Sequence, residues 1–128
     1  MIQLLLATDG PRAMRLSGAL LDLPEVTTHV VSDGRTLLDR LNEAPTFYHL
    51  VVLSYDLATV PGPDCITVIR QLHDRLPILV LSDSIEPDRL SELANLGVRR
   101  RHILANPVEP DRFLEWIEFT IDDLGLGD

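Results

Sequence analysis

The sequence predicts a single α/β domain built on a five-stranded parallel sheet with helices on both faces. Apolar stretches and helix-like segments alternate five times along the 128 residues. The apolar stretches are continuous rather than alternating, which is typical of strands buried on both faces. Alternating strands and helices indicate βα units with right-handed crossovers.

Turn residues mark the first two βα units. Residues 4–7 are an apolar run, and Pro11 suits the first turn of the helix that follows and ends near Leu21. A second strand is expected over residues 27–32, before the turn pair Asp33–Gly34. The next helix shows apolar residues at helical spacing: Leu37, Leu38 and Leu41.

The third unit has an apolar strand over residues 47–53 and an unusually long loop over residues 54–63. Its helix is expected to begin near Cys65, for which the sequence predicts a small, semi-buried residue rather than a reactive thiol, because no basic neighbour is apparent. The apolar positions of that helix have helical spacing: Ile66, Val68, Ile69 and Leu72.

The last two units are also bounded by prolines and a glycine. The fourth strand covers residues 77–81, and its helix covers residues 87–96 and stops at Gly97. A short fifth strand covers residues 103–105, and the final helix covers residues 110–124. Residues 1–128 are therefore predicted to form one domain.

Composition limits the partners and the compartment. All eleven basic residues are arginine, and the net charge of −9 disfavours nucleic acid, whose phosphates need clustered positive charge. No apolar run approaches the roughly 20 residues of a membrane span, and the N-terminus lacks a signal-peptide pattern. One cysteine fits a reducing compartment. We expect a cytoplasmic protein with no membrane or nucleic-acid partner.

The polar residues that follow the strands are the candidate site, because ligands of such sheets bind beyond the carboxyl ends of the strands. These residues are Thr8, Asp9, Ser54, Asp56, Ser82 and Asn106.

Five motifs in order resemble the receiver domain of bacterial two-component response regulators over nearly the whole chain. They are Thr8–Asp9, residues 50–53 leading into Ser54, Pro61-Gly62-Pro63-Asp64-Cys65, residues 77–82, and Asn106–Pro107. The resemblance implies a flavodoxin-like (βα)5 fold with strand order 2-1-3-4-5. It also implies that the Asn106–Pro107 peptide is cis.

The departures from that family predict a degenerate, or pseudo-receiver, site. The resemblance implies an acidic pair that holds Mg²⁺, an aspartate that accepts phosphoryl, and a lysine. Here these positions hold Thr8 beside Asp9, Ser54 and Asn106, and the chain has no lysine. Mg²⁺ should bind weakly or not at all, since it prefers several anionic oxygens. We expect no cofactor and no enzymatic activity.

Two alternatives remain open. Asp56 lies two residues beyond Ser54 and is a candidate for a displaced phosphoacceptor or metal ligand, because a shift of two residues keeps strand alternation. A flavin or nucleotide site on the same sheet is the other alternative, although residues 8–11 are short for a phosphate-binding loop. Ser82 matches the family's mobile hydroxyl, or it bonds to nearby backbone.

A protein partner, or a second copy, is expected on the face of helix four, strand five and helix five. The resemblance implies this face, and it places the family's aromatic switch position at Ile103, beside His102. Trp116 and Phe119 could together form an exposed interface anchor. In the alternative, Trp116 packs under the neighbouring loop and Phe119 is a single exposed aromatic. The candidate interface residues are Arg99, Arg100, Arg101, His102, Ile103, Trp116 and Phe119.

Overall fold

The computed structural model describes residues 1–126 of the chain. Five strands alternate with five helices along these residues, and a single 3₁₀ turn at Arg100–His102 precedes the last strand. The elements are β1 Ile2–Ala7, α1 Gly10–Leu20, β2 Val26–Val31, α2 Gly34–Glu43, β3 Leu50–Ser54, α3 Gly62–Leu72, β4 Ile78–Ser82, α4 Pro87–Asn95, β5 Ile103–Ala105 and α5 Pro110–Leu124.

The strands form one parallel sheet in the order β2-β1-β3-β4-β5, as predicted. Because every strand runs in the same direction, all five carboxyl ends lie along one edge of the sheet. The β1 and β3 ends are adjacent, and so are the β3 and β4 ends. This arrangement brings together polar residues that are far apart in the sequence.

Each face of the sheet has its own core. On one face, β1 and β3 pack against α2, α3 and α4, with Leu5, Leu37 and Ile69 among the buried side chains. On the other face, the same strands pack against α1 and α5, with Leu4 and Phe113 buried. The central strands are therefore covered on both faces, which explains the continuous apolar runs in the sequence.

Several predicted boundaries are wrong by one to three residues. The first strand begins at Ile2 rather than at residue 4, and the second and fourth strands, Val26–Val31 and Ile78–Ser82, are each displaced by one residue. The third strand covers Leu50–Ser54 instead of residues 47–53, because the Phe47 amide closes a turn onto the Ala44 carbonyl (3.2 Å). The third helix begins at Gly62, ahead of Cys65.

Cys65 is fully buried in the core rather than semi-buried, and this burial raises its pKa to about 11. The thiol is therefore protonated near neutral pH, which agrees with the expectation of an unreactive side chain.

The loop between β3 and α3 is held against the sheet by close backbone approaches. A Cβ atom on Gly62 would lie 2.7 Å from the Ser54 carbonyl oxygen, and one on Gly34 would lie 2.2 Å from the Val60 carbonyl oxygen. The Gly62 amide donates to the Tyr55 carbonyl (2.8 Å). Only glycine fits these two positions without displacing the loop.

The lengths and composition of the helices can be compared with those of a membrane-spanning helix. No helix described within residues 1–126 is long and apolar enough to cross a bilayer.

Candidate functional site

The centre of the carboxyl edge is a pair of buried hydroxyl groups. Thr8 follows β1 and Ser54 ends β3, and their side-chain oxygens lie 2.7 Å apart. Thr8 is fully buried and Ser54 is 4% exposed. Either hydroxyl can donate this hydrogen bond, and neither group carries a charge. Two neutral groups thus occupy the point where the two central strands end.

Asp9 serves as the N-cap of α1. Its carboxylate accepts the amide of Arg12 (3.0 Å) and lies 3.5 Å from the Arg12 guanidinium. The same guanidinium lies 3.5 Å from the Asp83 carboxylate in the loop after β4. Both aspartates are more than half exposed, so each ion pair is worth roughly 0–1 kcal/mol. Arg12 nevertheless keeps a cation between the two carboxylates.

Asp56 points to solvent from the loop after β3 and pairs with Arg89 of α4 (3.1 Å). The Arg89 guanidinium also donates to the Ser82 hydroxyl (3.2 Å) and stacks 4.0 Å from the centre of the Tyr55 ring. Arg89 therefore connects α4 to the ends of β3 and β4 through an ion pair, a hydrogen bond and a cation–π contact.

Tyr55 adds a second link from this loop to α4. Its hydroxyl donates to the Glu92 carboxylate, and this hydrogen bond is the main reason that the pKa of Tyr55 is raised. Since the pKa of Tyr55 is raised above its ordinary value, the phenol is protonated at neutral pH and can donate this bond. Tyr55 thus holds Arg89 on its ring face and Glu92 at its hydroxyl.

The sequence analysis did not identify Arg12 and Arg89 as residues of the carboxyl edge, although the sequence contains a signal for both. Each is the third residue of its helix, where the helix dipole disfavours a cation. An arginine in the first turn of a helix therefore suggests a nearby acid, and both first turns lie at the carboxyl edge. Of the carboxylates that these arginines contact, Asp9 can be identified from the sequence, whereas Asp83 and Asp56 become identifiable only with the fold.

Ser82 and Asn106 complete the carboxyl edge. The Ser82 hydroxyl donates to the Ser84 carbonyl (2.6 Å) and accepts the Ser84 amide, which is the local backbone bonding considered above. The Asn106 amide N–H donates to the Ser82 carbonyl (2.9 Å), and the peptide bond to Pro107 is cis. Within residues 1–126, the buried side-chain amide atoms of Asn106 have no hydrogen-bond partner.

A cleft of about 540 Å³ between β5 and α5 is lined by Arg112 and by four of the predicted interface residues: Arg100, Arg101, Ile103 and Trp116. Arg99 lines an adjoining groove together with Arg100. We call Arg99, Arg100, Arg101 and Arg112 the arginine face. The Arg100 guanidinium donates to the Ile103 carbonyl (2.9 Å), and the Ile103 side chain is buried.

Trp116 and Phe119 have different environments. The Trp116 indole donates to the Arg101 carbonyl (3.0 Å) and packs against the core, as the packing alternative for this residue requires. Phe119 is 59% exposed, so it points outward as the helical spacing indicated. The two side chains therefore do not form one exposed anchor.

His102 is half-buried beside the arginine face. Burial, together with the charges of Arg101 and Arg99, lowers its pKa. Its Nε2 atom is buried and has no partner within residues 1–126. The imidazole is therefore more strongly neutral near pH 7 than an ordinary histidine.

Several solved structures with the same fold are receiver domains. The chemotaxis response regulator CheY4 of Vibrio cholerae has a TM-score of 0.81 and 19% identity, with 94% of this chain and 98% of that one covered. A signal receiver domain of an HD domain-containing protein from Pseudomonas fluorescens has a TM-score of 0.81 and 21% identity, with 97% of each covered. No protein-family model and no curated protein sequence matches the chain.

The chain has the receiver-domain fold. A receiver domain from Clostridium thermocellum supports the same conclusion, with a TM-score of 0.79, 16% identity and 98% of both chains covered. At identities this low, the structural similarity establishes the fold alone. The chemistry must be judged from the residues at the carboxyl edge.

The carboxyl edge of this receiver fold does not fit Mg²⁺. The position next to Asp9 is the Thr8 hydroxyl, which is bonded to Ser54, and Asp9 itself caps a helix. Asp56 is paired with Arg89. Among residues 1–126, no three His, Cys, Asp or Glu side chains form a group suited to a metal ion. The available oxygens are neutral or already bonded to arginine.

We predict that Thr8 and Ser54 are energetically coupled. Replacing either one alone, by Thr8→Val or Ser54→Ala, leaves a buried hydroxyl unpaired and should lower the free energy of unfolding by about 1–3 kcal/mol. The double variant removes both groups, so it should cost clearly less than the sum of the single variants. Urea denaturation of the four proteins measures this coupling, and additive costs would contradict it.

Proposed function

We propose that this chain is a pseudo-receiver, a signalling domain that acts by binding a protein partner without being phosphorylated. The observation that carries the proposal is the Thr8–Ser54 hydroxyl pair, which occupies the positions where the resemblance implies carboxylates. The receiver-domain fold supports a role in a two-component-like pathway, and we expect the protein to act in the cytoplasm.

The chemistry of the two hydroxyls supports a domain that is not an enzyme. A serine becomes a nucleophile when a base removes its proton. The side-chain partner of Ser54 within residues 1–126 is the hydroxyl of Thr8, which is not a base at neutral pH. Burial of both groups also keeps a soluble phosphodonor away from Ser54.

The ion pair of Asp56 supports the proposal against the displaced-acceptor alternative. Phosphorylation of Asp56 would have to replace the Arg89 contact, and it would proceed without a bound dication to neutralise the developing charge. Asp56 also lies in the loop rather than at the end of β3, where Ser54 stands.

The arginine face supports a partner with carboxylate-rich surface. Three arginines line the β5–α5 cleft of a chain whose net charge is −9, and Arg99 lines the adjoining groove. Within residues 1–126, Arg101 is the member of this face with an ion pair, to Asp123 (3.4 Å). The guanidinium groups of Arg99 and Arg112 remain available for a partner's carboxylates, with which arginine forms bidentate hydrogen bonds.

We predict that acetyl phosphate with Mg²⁺ leaves the intact mass unchanged, because the Ser54 hydroxyl is buried and Asp56 is paired. A conventional receiver domain treated in parallel is the positive control, and mass spectrometry is the readout. An added phosphoryl group that is lost in the Asp56→Asn protein would contradict the proposal and assign the displaced-acceptor mechanism.

We predict that a glutamate-rich peptide binds the arginine face. Arg99→Glu with Arg112→Glu should weaken this binding by at least about tenfold, because two attractive charges become repulsive. Arg15→Glu with Arg75→Glu makes the same change in net charge at exposed positions elsewhere and should have a much smaller effect. Fluorescence anisotropy at two salt concentrations measures the affinity. Equal losses in both double variants would show that net charge, not this face, controls binding.

A further inference from the structure

The two edges of the sheet are protected very differently. The β5 edge has three residues, follows three arginines, and has its first carbonyl, that of Ile103, bonded to Arg100. The β2 edge has six residues, Val26–Val31, with no charged residue and no proline. Sheets normally protect long edge strands with charge, proline or a bulge, because free backbone groups bind other strands. Strand β2 contains neither a charged residue nor a proline to protect its edge.

Backbone groups on the outer side of β2 are available for pairing. The carbonyls of Glu25 and Val31 accept the Ile2 and Thr8 amides of β1 and its end (2.8 and 3.2 Å). Since successive residues of a strand present their amide and carbonyl groups to opposite sides, the odd-numbered residues face β1. The amide and carbonyl groups of Thr28 and Val30 therefore point away from the sheet.

An exposed apolar surface on α1 borders this open edge. The core-facing side of α1 consists of Ala13, Leu16 and Leu20. A second stripe, at helical spacings of three, four and seven, consists of Met14, Ser17, Gly18 and Leu21. Met14 is 79% exposed and Leu21 is 83% exposed. Together with Val30, these residues line the shallow groove between α1 and β2.

We propose that the β2 edge is a homodimer interface, in which β2 pairs antiparallel with β2 of a second copy. A two-fold axis at Thr28 lets the Thr28 amide donate to the Thr28 carbonyl of the other copy, and the reverse. Val30 then lies opposite Val26 of the second copy. The result is one ten-stranded sheet, with α1 of each subunit on the same face.

The α1 surface matches the same two-fold axis. Met14, Leu21, Val26 and Val30 line one groove, and because α1 runs antiparallel to β2, Met14 lies toward the Val30 end and Leu21 toward the Val26 end. When Val30 meets Val26 of the second copy, Met14 meets its Leu21. Gly18 lies between them, where an added Cβ atom would have no neighbour within 4 Å. The two large apolar side chains thus face each other across small residues that allow the helices to approach.

Charge and symmetry favour a second copy as the occupant. Strand β2 is uncharged, so two copies meet there without placing like charges opposite each other, despite the net charge of −9. An isologous contact satisfies the free donors and acceptors of both copies at once. The protected β5 edge prevents the paired sheets from extending further, so the assembly closes as a dimer. This inference is independent of the proposed function.

Amide hydrogen exchange tests the pairing directly. The amides of Thr28 and Val30 should exchange quickly in dilute protein and gain protection as the concentration rises. The amides of Thr27 and His29 face β1 and should stay protected at both concentrations. Fast exchange of Thr28 and Val30 that persists at high protein concentration would overturn the proposal.

Sedimentation velocity of two variants tests the role of the exposed apolar surface on α1. Met14→Glu with Leu21→Glu should raise the dimer dissociation constant by at least about tenfold, because both side chains would carry charges into an apolar contact. Phe119→Glu, a substitution of an exposed apolar residue on α5, should leave the dissociation constant unchanged. A protein that is monomeric at every concentration, or a dimer that Phe119→Glu disrupts and the α1 variant does not, would overturn the proposal.

Discussion

The buried hydrogen bond between Thr8 and Ser54 decides what the carboxyl edge of this sheet can do. Two neutral hydroxyls joined at 2.7 Å carry no charge, so the pair itself offers Mg²⁺ no anionic ligand. The carboxylates that remain, Asp9 and Asp56, lie outside this pair. Each of them meets an arginine from a helix terminus instead of a metal ion.

Arg89 also connects the carboxyl edge of the sheet to α4. Arg89 contacts Asp56, Ser82 and the Tyr55 ring, and Tyr55 in turn donates to Glu92 one turn further along the same helix. A site that used phosphorylation to move α4 would have to break all of these contacts. These contacts therefore tie α4 to the ends of β3 and β4.

Sequence reasoning was most accurate where the evidence is local. Continuous apolar runs and proline or glycine boundaries predicted β5 and α5 with their observed limits. The start of β3 was misplaced because Phe47 and Tyr48 have strand-like composition, while the chain at Phe47 turns back onto Ala44. The strand order, and the cis peptide at Asn106–Pro107, were predicted from the resemblance and not from the residues themselves.

The ion pairs could not be predicted in the same way. Asp56 and Arg89 are separated by 33 residues, and they meet because β3 and β4 end side by side. The same holds for Thr8 and Ser54, which are 46 residues apart. Side-chain pairing across a parallel sheet depends on register and loop direction, and neither is encoded by spacing along the chain. An arginine in the first turn of a helix was the one local signal of these pairs.

The central claim is that the carboxyl edge is closed by its own hydrogen bonds and ion pairs. Titrating ¹⁵N-labelled protein with MgCl₂ and following the backbone amides tests it most directly. The account predicts no saturable shift at Thr8, Asp9, Ser54 or Asp56, and the same response to an equal ionic strength of NaCl. Saturable shifts at these four amides, produced by Mg²⁺ and not by NaCl, would contradict it.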